Sequence, residues 1–222
     1  MVAYLSQILC WTVFMAVVIL LPARTLAYPG GWALIVLFAL GGVGMVLWLS
    51  EHSPSLLRER MTPPWQQEQK PWDRVWMTVF VLAFFAWIMF MSWDAARTGF
   101  TAVPPWLQAA GALCILVNGA GTWWTFRENT FAAPVVKIQE GHKVIDAGPY
   151  AFVRHPMYAS TLFLFIGVPL LLGSWLGLAF AAIIVLGLAW RAVREENTLR
   201  AELPGYDAYA ARVRYRLVPF VW

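Results

Sequence analysis

Apolar residues run almost without interruption over roughly 3–21, 31–50, 75–93 and 104–125, and over a fifth, longer region from 157 to 194. A bilayer core takes about 20 residues of helix, so each of the first four runs predicts one span. The fifth is too long for one. Gly173-Ser174 interrupts it, with Pro169 just before, and such punctuation predicts two short helices joined by a tight turn. The pattern therefore predicts an all-α polytopic membrane protein, a bundle of about six transmembrane helices whose last two form a hairpin. Reading the last region as one bent helix would give five spans, at the cost of a very long element.

Composition agrees. The 222 residues are 60% hydrophobic and 13% charged, whereas a soluble domain carries about 25% charged residues. Many of the 14 tryptophans, among them Trp11, Trp32, Trp48, Trp72 and Trp93, fall near the ends of apolar runs, the headgroup level that tryptophan prefers. The first run has no basic residues before it and no small-residue cleavage site, which predicts a retained span rather than a leader. Cys10 and Cys114 lie inside apolar runs, and His52, His142 and His155 form no ligand spacing. Neither a disulfide nor a metal site is expected.

The net charge of +4 raises the question of nucleic acid, but its distribution answers differently. With six spans, Arg58, Arg60, Lys70, Arg74, Arg127, Lys137, Lys143, Arg154, Arg191, Arg194, Arg200, Arg212, Arg214 and Arg216 all fall on one side, and only Arg24 and Arg97 on the other. Because cytoplasmic loops are enriched in Lys and Arg, both termini are expected in the cytoplasm. No nucleic-acid partner is implied.

There is no internal repeat. A proline- and charge-rich loop at 51–74 is expected to lie irregularly on the surface, separating a peripheral two-helix part (1–74) from a core (75–222) in a single membrane domain, 1–222.

Chemistry-bearing residues concentrate between 126 and 222. Val135 to Tyr150 reads as two short extended pieces about a Gly141-His142-Lys143 turn, with Val144-Ile145 strand-like. Then come Gly148-Pro149-Tyr150 and Val153-Arg154-His155-Pro156-Met157-Tyr158. Proline suits the first turn of a helix, so His155 is expected at a helix mouth, where backbone N–H groups and the positive dipole end face outward. A loop that caps a helix and meets lipid phosphates would read the same way. Further on, Glu195-Glu196 follow Arg191 and Arg194 and precede Arg200, a spacing that also suits a surface helix with i,i+4 ion pairs. Neighbours on a helix point about 100° apart, so one of the two is expected to face the bundle. Past the Pro204-Gly205 break, Asp207 is a candidate cap for a short helix on which Tyr209 and Arg212 share a face. An interfacial segment binding anionic headgroups is the plainer reading of that tail.

Taken together, Gly148-Pro149-Tyr150, Arg154-His155-Pro156-Met157-Tyr158, Glu195-Glu196 and the tail Leu203-Pro204-Gly205-Tyr206, Tyr209, Arg212-Val213 and Arg216 resemble the isoprenylcysteine carboxyl methyltransferase family. That family lies within a wider group of membrane methyltransferases that includes phospholipid methyltransferases. The resemblance covers about 110–222; the Arg58-Glu59-Arg60-Met61 segment is similar to that of bacterial members, which implies a multi-pass protein of the bacterial inner membrane. Leu203-Pro204-Gly205 replaces the family's usual Phe-Gly, and Arg214 and Arg216 depart from eukaryotic members, which leaves the acceptor open.

The resemblance implies S-adenosylmethionine as cofactor, held in a cytoplasm-facing pocket by 126–222, with Val136, Gln139, Gly148, Tyr150, Arg154, His155, Pro156, Tyr158, Glu195 and Glu196 as candidate cofactor-binding residues. Arg212 and Glu196 become the candidate catalytic residues, Arg212 as a planar fork for an acceptor carboxylate. Of the two acidic neighbours, Glu196 is favoured for the pocket, with Glu195 supporting. The implied partners are membrane lipids and a lipophilic or lipidated substrate arriving from the bilayer. The implied reaction is O-methylation of a prenylcysteine-like carboxylate, with a phospholipid amine or a thiol as the alternative acceptor. A membrane reductase using NADPH is the alternative from another enzyme class, with Arg212, Arg214 and Arg216 as its phosphate cations. A scaffold or transporter subunit is the third; polar residues within the spans, which transport needs, are almost confined to Asn118.

Overall fold

The computed structural model describes residues 1–63, 65–66, 68–98 and 102–222. Among the described residues eight α-helices follow one another: α1 (Val2–Ala23), α2 (Pro29–His52), α3 (Pro54–Met61), α4 (Pro71–Trp93), α5 (Pro105–Glu128), α6 (Pro156–Leu172), α7 (Trp175–Glu202) and α8 (Tyr206–Arg212). A π-helical turn, Asp94–Thr98, extends α4, and a 3₁₀ turn, Gly148–Ala151, precedes α6. Among the described residues there is no strand, so the strand character read into Val144-Ile145 is not realised.

Six long helices stand where six spans are expected, but they are not equal. Val2–Ala23, Pro29–His52, Pro71–Arg97 and Trp175–Glu202 are long and apolar enough to cross a membrane, and they make this an integral multi-pass protein. The helix α5 is long but less apolar, and α6 has only 17 residues, about 26 Å of helix. That shortness is tolerable because α6 sits inside the bundle. Tyr158, Phe165, Val168, Leu171 and Leu172 are all buried, and α6 touches α2, α4, α5 and α7. The break between α6 and α7 falls at Gly173-Ser174 as expected. There Ser174 caps α7 by accepting from the Gly177 N–H at 2.9 Å and donates to Asp94 Oδ2 at 2.6 Å.

Lipid tails are as apolar as leucine, so helices in a membrane are held by close packing and interhelical hydrogen bonds rather than by hydrophobic transfer. Both devices are present. A Cβ on Gly111 of α5 would meet the Gly167 carbonyl oxygen at 2.7 Å, and one on Gly167 of α6 would meet the Gly111 carbonyl at 2.6 Å. These two backbones touch. Trp87 Nε1 donates to the Gly177 carbonyl at 2.8 Å, tying α4 to α7, and the Tyr28 hydroxyl donates to the Leu172 carbonyl at 2.7 Å.

The region expected as an irregular loop at 51–74 contains α3. Pro54 occupies its first turn, where proline is pre-organised for helix. Leu56 and Leu57 are buried against Val46, Leu49 and Phe126. Charge and proline content masked a two-leucine face.

Candidate active site

The segment from Asn129 to Ala147 leaves α5, folds across the ends of α6 and α7, and returns through the 3₁₀ turn to α6. Beneath it lies a cleft that encloses about 100 Å3 behind an open mouth. Its walls come from the loop (Val135, Val136, Ile138, His142), from Tyr150, from the start of α6 (Arg154, His155, Pro156, Tyr158), from α7 (Arg191, Glu195, Leu199), and from Tyr206 and Tyr209 of α8.

Local sequence explains the placement. His155 is the N-cap of α6 and Pro156 its first residue, so the chain turns sharply and delivers Arg154, His155 and Tyr158 to one end of the helix. Gly148 sits at φ 56, and a Cβ there would meet Glu128 Cγ at 2.4 Å. Only glycine fits this return beneath α5. Backbone bonds from Arg154 N–H to the Tyr215 carbonyl (2.9 Å) and from His155 N–H to the Arg216 carbonyl (3.0 Å) lay the tail alongside.

The two adjacent carboxylates of α7 diverge as helix geometry requires. Glu196 turns away from the cleft and is almost fully buried. It accepts from Arg154 Nε at 2.7 Å, Arg154 Nη2 at 3.2 Å and Arg216 Nε at 3.1 Å, and its Oε1 lies 3.2 Å from His155 Nε2. Arg154 spends its remaining donors on the Val213 and Arg214 carbonyls, both at 2.8 Å. Glu195 instead faces the cleft. The Tyr158 hydroxyl donates to Glu195 Oε2 at 2.6 Å and accepts from Arg191 Nη1 at 2.7 Å. Arg191 in turn donates to Asp73 Oδ1 at 2.8 Å and to the Pro134 carbonyl at 2.9 Å, while Asp73 Oδ2 accepts from the Val136 N–H at 2.9 Å. A chain of polar bonds thus runs from the base of α4 through α7 and α6 to the cleft and the loop.

Two cleft residues have an unmet polar atom among the described residues: the Tyr206 hydroxyl, on a side chain only 4% exposed, and His142 Nδ1. Burial raises the Tyr150, Tyr206 and Tyr209 hydroxyls well above the usual phenol range, so they stay protonated donors. Burial pushes the His142 imidazole, which stacks on Phe131, below its ordinary value, against a smaller opposing pull from Glu195.

Of the residues singled out from sequence, Val136, Tyr150, Arg154, His155, Pro156, Tyr158 and Glu195 line the cleft. Gln139 does not; its side-chain amide donates to the Phe131 carbonyl at 2.8 Å and shapes the loop. Gly148 and Glu196 stand behind the wall. Arg212 lies outside, on an exposed side chain paired with Asp146 at 2.6 Å. The expected shared face with Tyr209 is not formed, since Tyr209 is buried and donates to the Tyr150 carbonyl at 2.9 Å. Asp207 does not cap α8 but pairs with Arg200, leaving Glu196 to Arg154, His155 and Arg216. Sequence reasoning did not single out Asp73, His142 or Tyr206, and it took Arg191 only as a surface partner of Glu195. Asp73 carried one faint signal, a carboxylate at the mouth of an apolar helix.

No group of His, Cys, Asp and Glu among the described residues has a metal-binding arrangement. No curated protein matches the sequence. Among solved structures, a eukaryotic intramembrane Ras methyltransferase, isoprenylcysteine carboxyl methyltransferase, aligns at 19% identity and a TM-score of 0.47, over 94% of this chain and 74% of that one. The family model of phospholipid methyltransferases matches residues 106–203. That segment builds α5, the covering loop, α6 and α7, the elements that form most of the cleft.

Proposed function

We propose that the protein transfers a methyl group from S-adenosylmethionine to a lipophilic acceptor, a prenylcysteine-like carboxylate first, with a phospholipid amine or a thiol as the alternatives. One observation carries the cofactor assignment. The cleft, built mainly by the family-matched segment, combines aromatic faces, an available carboxylate and a buried phenol without a protein partner. These are the donor types that the cofactor needs. A sulfonium is drawn to aromatic faces, which Tyr150 and Tyr158 supply. A ribose diol needs an acceptor such as Glu195, and the Tyr206 hydroxyl is free to donate. The bound cofactor would supply an electrophilic methyl group.

The chain's own residues then act by positioning. Arg191 and Glu195 grip the Tyr158 hydroxyl from both sides and fix the ring, which His155 backs in a parallel stack with centroids 5.3 Å apart. The loop from Asn129 to Ala147 covers the cleft and limits water. In-line displacement gains most from such orientation and desolvation. The NADPH reading loses its support, because Arg212 pairs with Asp146, Arg216 pairs with Glu196, and none of Arg212, Arg214 and Arg216 lines the cleft.

The test is parallel titration of the detergent-purified protein with S-adenosylhomocysteine and NADPH. Saturable binding of the first alone is expected; binding of NADPH alone overturns the proposal. For orientation we propose both termini in the cytoplasm, supported by the one-sided basic residues. Reporter fusions at the carboxy terminus and within 94–102 should report opposite sides, and a carboxy terminus outside overturns it.

A further inference from the structure

Among the described residues, the cations around the cleft that are withdrawn from water are matched by carboxylates, with one exception; Lys143, which also lines the cleft, is exposed. Arg154 meets Glu196 at 2.7 Å, Arg191 meets Asp73 at 2.8 Å, and Lys137 of the loop meets Glu59 at 2.8 Å. Arg60, in the last turn of α3, is half-buried, and among the described residues no carboxylate pairs with it. Its Nη1 donates to the Ala132 carbonyl at 3.3 Å and touches Met157 Sδ at 3.8 Å, while its guanidinium lies 4.8 Å from the Phe126 ring centroid. Ala132 and Met157 are both cleft-lining residues.

A guanidinium withdrawn from water without a counter-charge is costly to keep. Burial and the neighbouring Arg191 charge push Arg60 down to about 10. An anion placed beside it would relieve both. Phe126 and Met157, which Arg60 touches, belong to an apolar cluster with Leu56, Leu57 and Met61 of α3 and Val46 and Leu49 of α2. Arg60 therefore stands between a polar cleft and a hydrocarbon-like wall, as a reader of amphiphiles would.

We propose that Arg60 is a specificity-determining residue that binds the anionic group, carboxylate or phosphate, of an amphiphilic acceptor whose tail runs along the apolar side made by α2, α3 and α5. The identity of the reaction rests on the methyltransferase reading; the anion site rests on the surroundings of Arg60.

The test uses the full chain in phosphatidylcholine nanodiscs, titrated with decyl phosphate, decanoate and uncharged decanol. Wild type should bind at least one anionic amphiphile about tenfold or more tighter than decanol, the order of a charged hydrogen bond. Arg60→Met should erase that preference, and Arg212→Met should keep it. Should Arg60→Met fail to fold, Arg60→Gln, which retains a donor for Ala132, serves in its place. Tighter decyl phosphate assigns a phosphodiester-like headgroup; decanoate bound as tightly assigns a carboxylate. Equal binding of all three ligands by wild type, or a preference that survives in a folded Arg60 variant, overturns the proposal. Parallel S-adenosylhomocysteine titration separates the two readings. Anion preference without S-adenosylhomocysteine binding overturns the cofactor assignment alone, and the reverse overturns Arg60 alone.

Discussion

Two polar networks lie side by side on α7, one closed and one open. Around Glu196 both carboxylate oxygens are engaged by Arg154, His155 and Arg216, the group is almost fully buried, and the surplus donors hold the tail. Around Glu195 the partners are Tyr158 and, through it, Arg191 and Asp73, and the assembly borders the cleft with a free Tyr206 hydroxyl nearby. The difference separates architecture from ligand contact. A satisfied buried network rigidifies its surroundings, whereas one with unmet atoms has capacity left for something else.

The comparison breaks most readily at Glu196. Glu196→Gln leaves Arg154 buried beside a neutral amide, and removal of one partner of a buried ion pair costs about 3–5 kcal/mol. A large fall in the thermal midpoint in detergent is expected, with the tail more open to protease. A variant that melts like wild type would erase the distinction between the networks.

Glu195→Gln should do the reverse. Its midpoint should move little, while S-adenosylhomocysteine binding, read by calorimetry, should weaken about tenfold, since hydrogen bonds to charged groups contribute about 1.5–3 kcal/mol. Equal, negligible effects from both glutamine variants would mean that the pair is only a solvated face.

Tyr206→Phe sharpens the picture further. Deleting a buried hydroxyl without a protein partner should leave stability unchanged or slightly improved. Cofactor affinity should fall about fivefold, in line with a net hydrogen bond of about 0.5–1.5 kcal/mol.

A pH titration reads the loop. The His142 imidazole is held below its ordinary 6.5, so folding favours the neutral ring. Its contribution is fully present above pH 6.5 and is lost as pH falls through the folded value. His142→Gln should flatten that acid limb of the midpoint-against-pH curve. An unchanged limb would assign the acid sensitivity elsewhere.

The smallest effect is expected at Arg212. Its partner Asp146 is exposed, and such pairs contribute about 0–1 kcal/mol. Arg212→Lys should leave both midpoint and turnover close to wild type; a sharp loss of turnover with cofactor affinity intact would return Arg212 to the acceptor site.

What the sequence made legible was local. Uninterrupted apolar runs marked the long helices, Gly173-Ser174 marked the hairpin, and Pro156 marked the start of α6, because each acts on its own neighbourhood. The pairing of Asp73 with Arg191 spans 118 residues and leaves no periodic trace. The glutamates were partly legible. Helix geometry required them to diverge, but the expectation that Glu196 rather than Glu195 faces the pocket is not met, since the tail covers Glu196 while Glu195 borders the cleft. On α8, residues three apart straddle the burial boundary, so Tyr209 lies inside and Arg212 outside.

The contact between Gly111 and Gly167 bears on how anything enters the cleft. With their backbones touching, α5 and α6 cannot slide past each other without one carbonyl displacing its neighbour's main chain. They form a stator. The segment from Asn129 to Ala147 leaves this fixed pair and returns to it, so both its ends are anchored to the same immobile base. Opening must therefore come from flexing of the segment's middle or from swinging of α8 and the tail. A cross-link that staples α8 to that segment should slow ligand exchange more than one placed between α5 and α6.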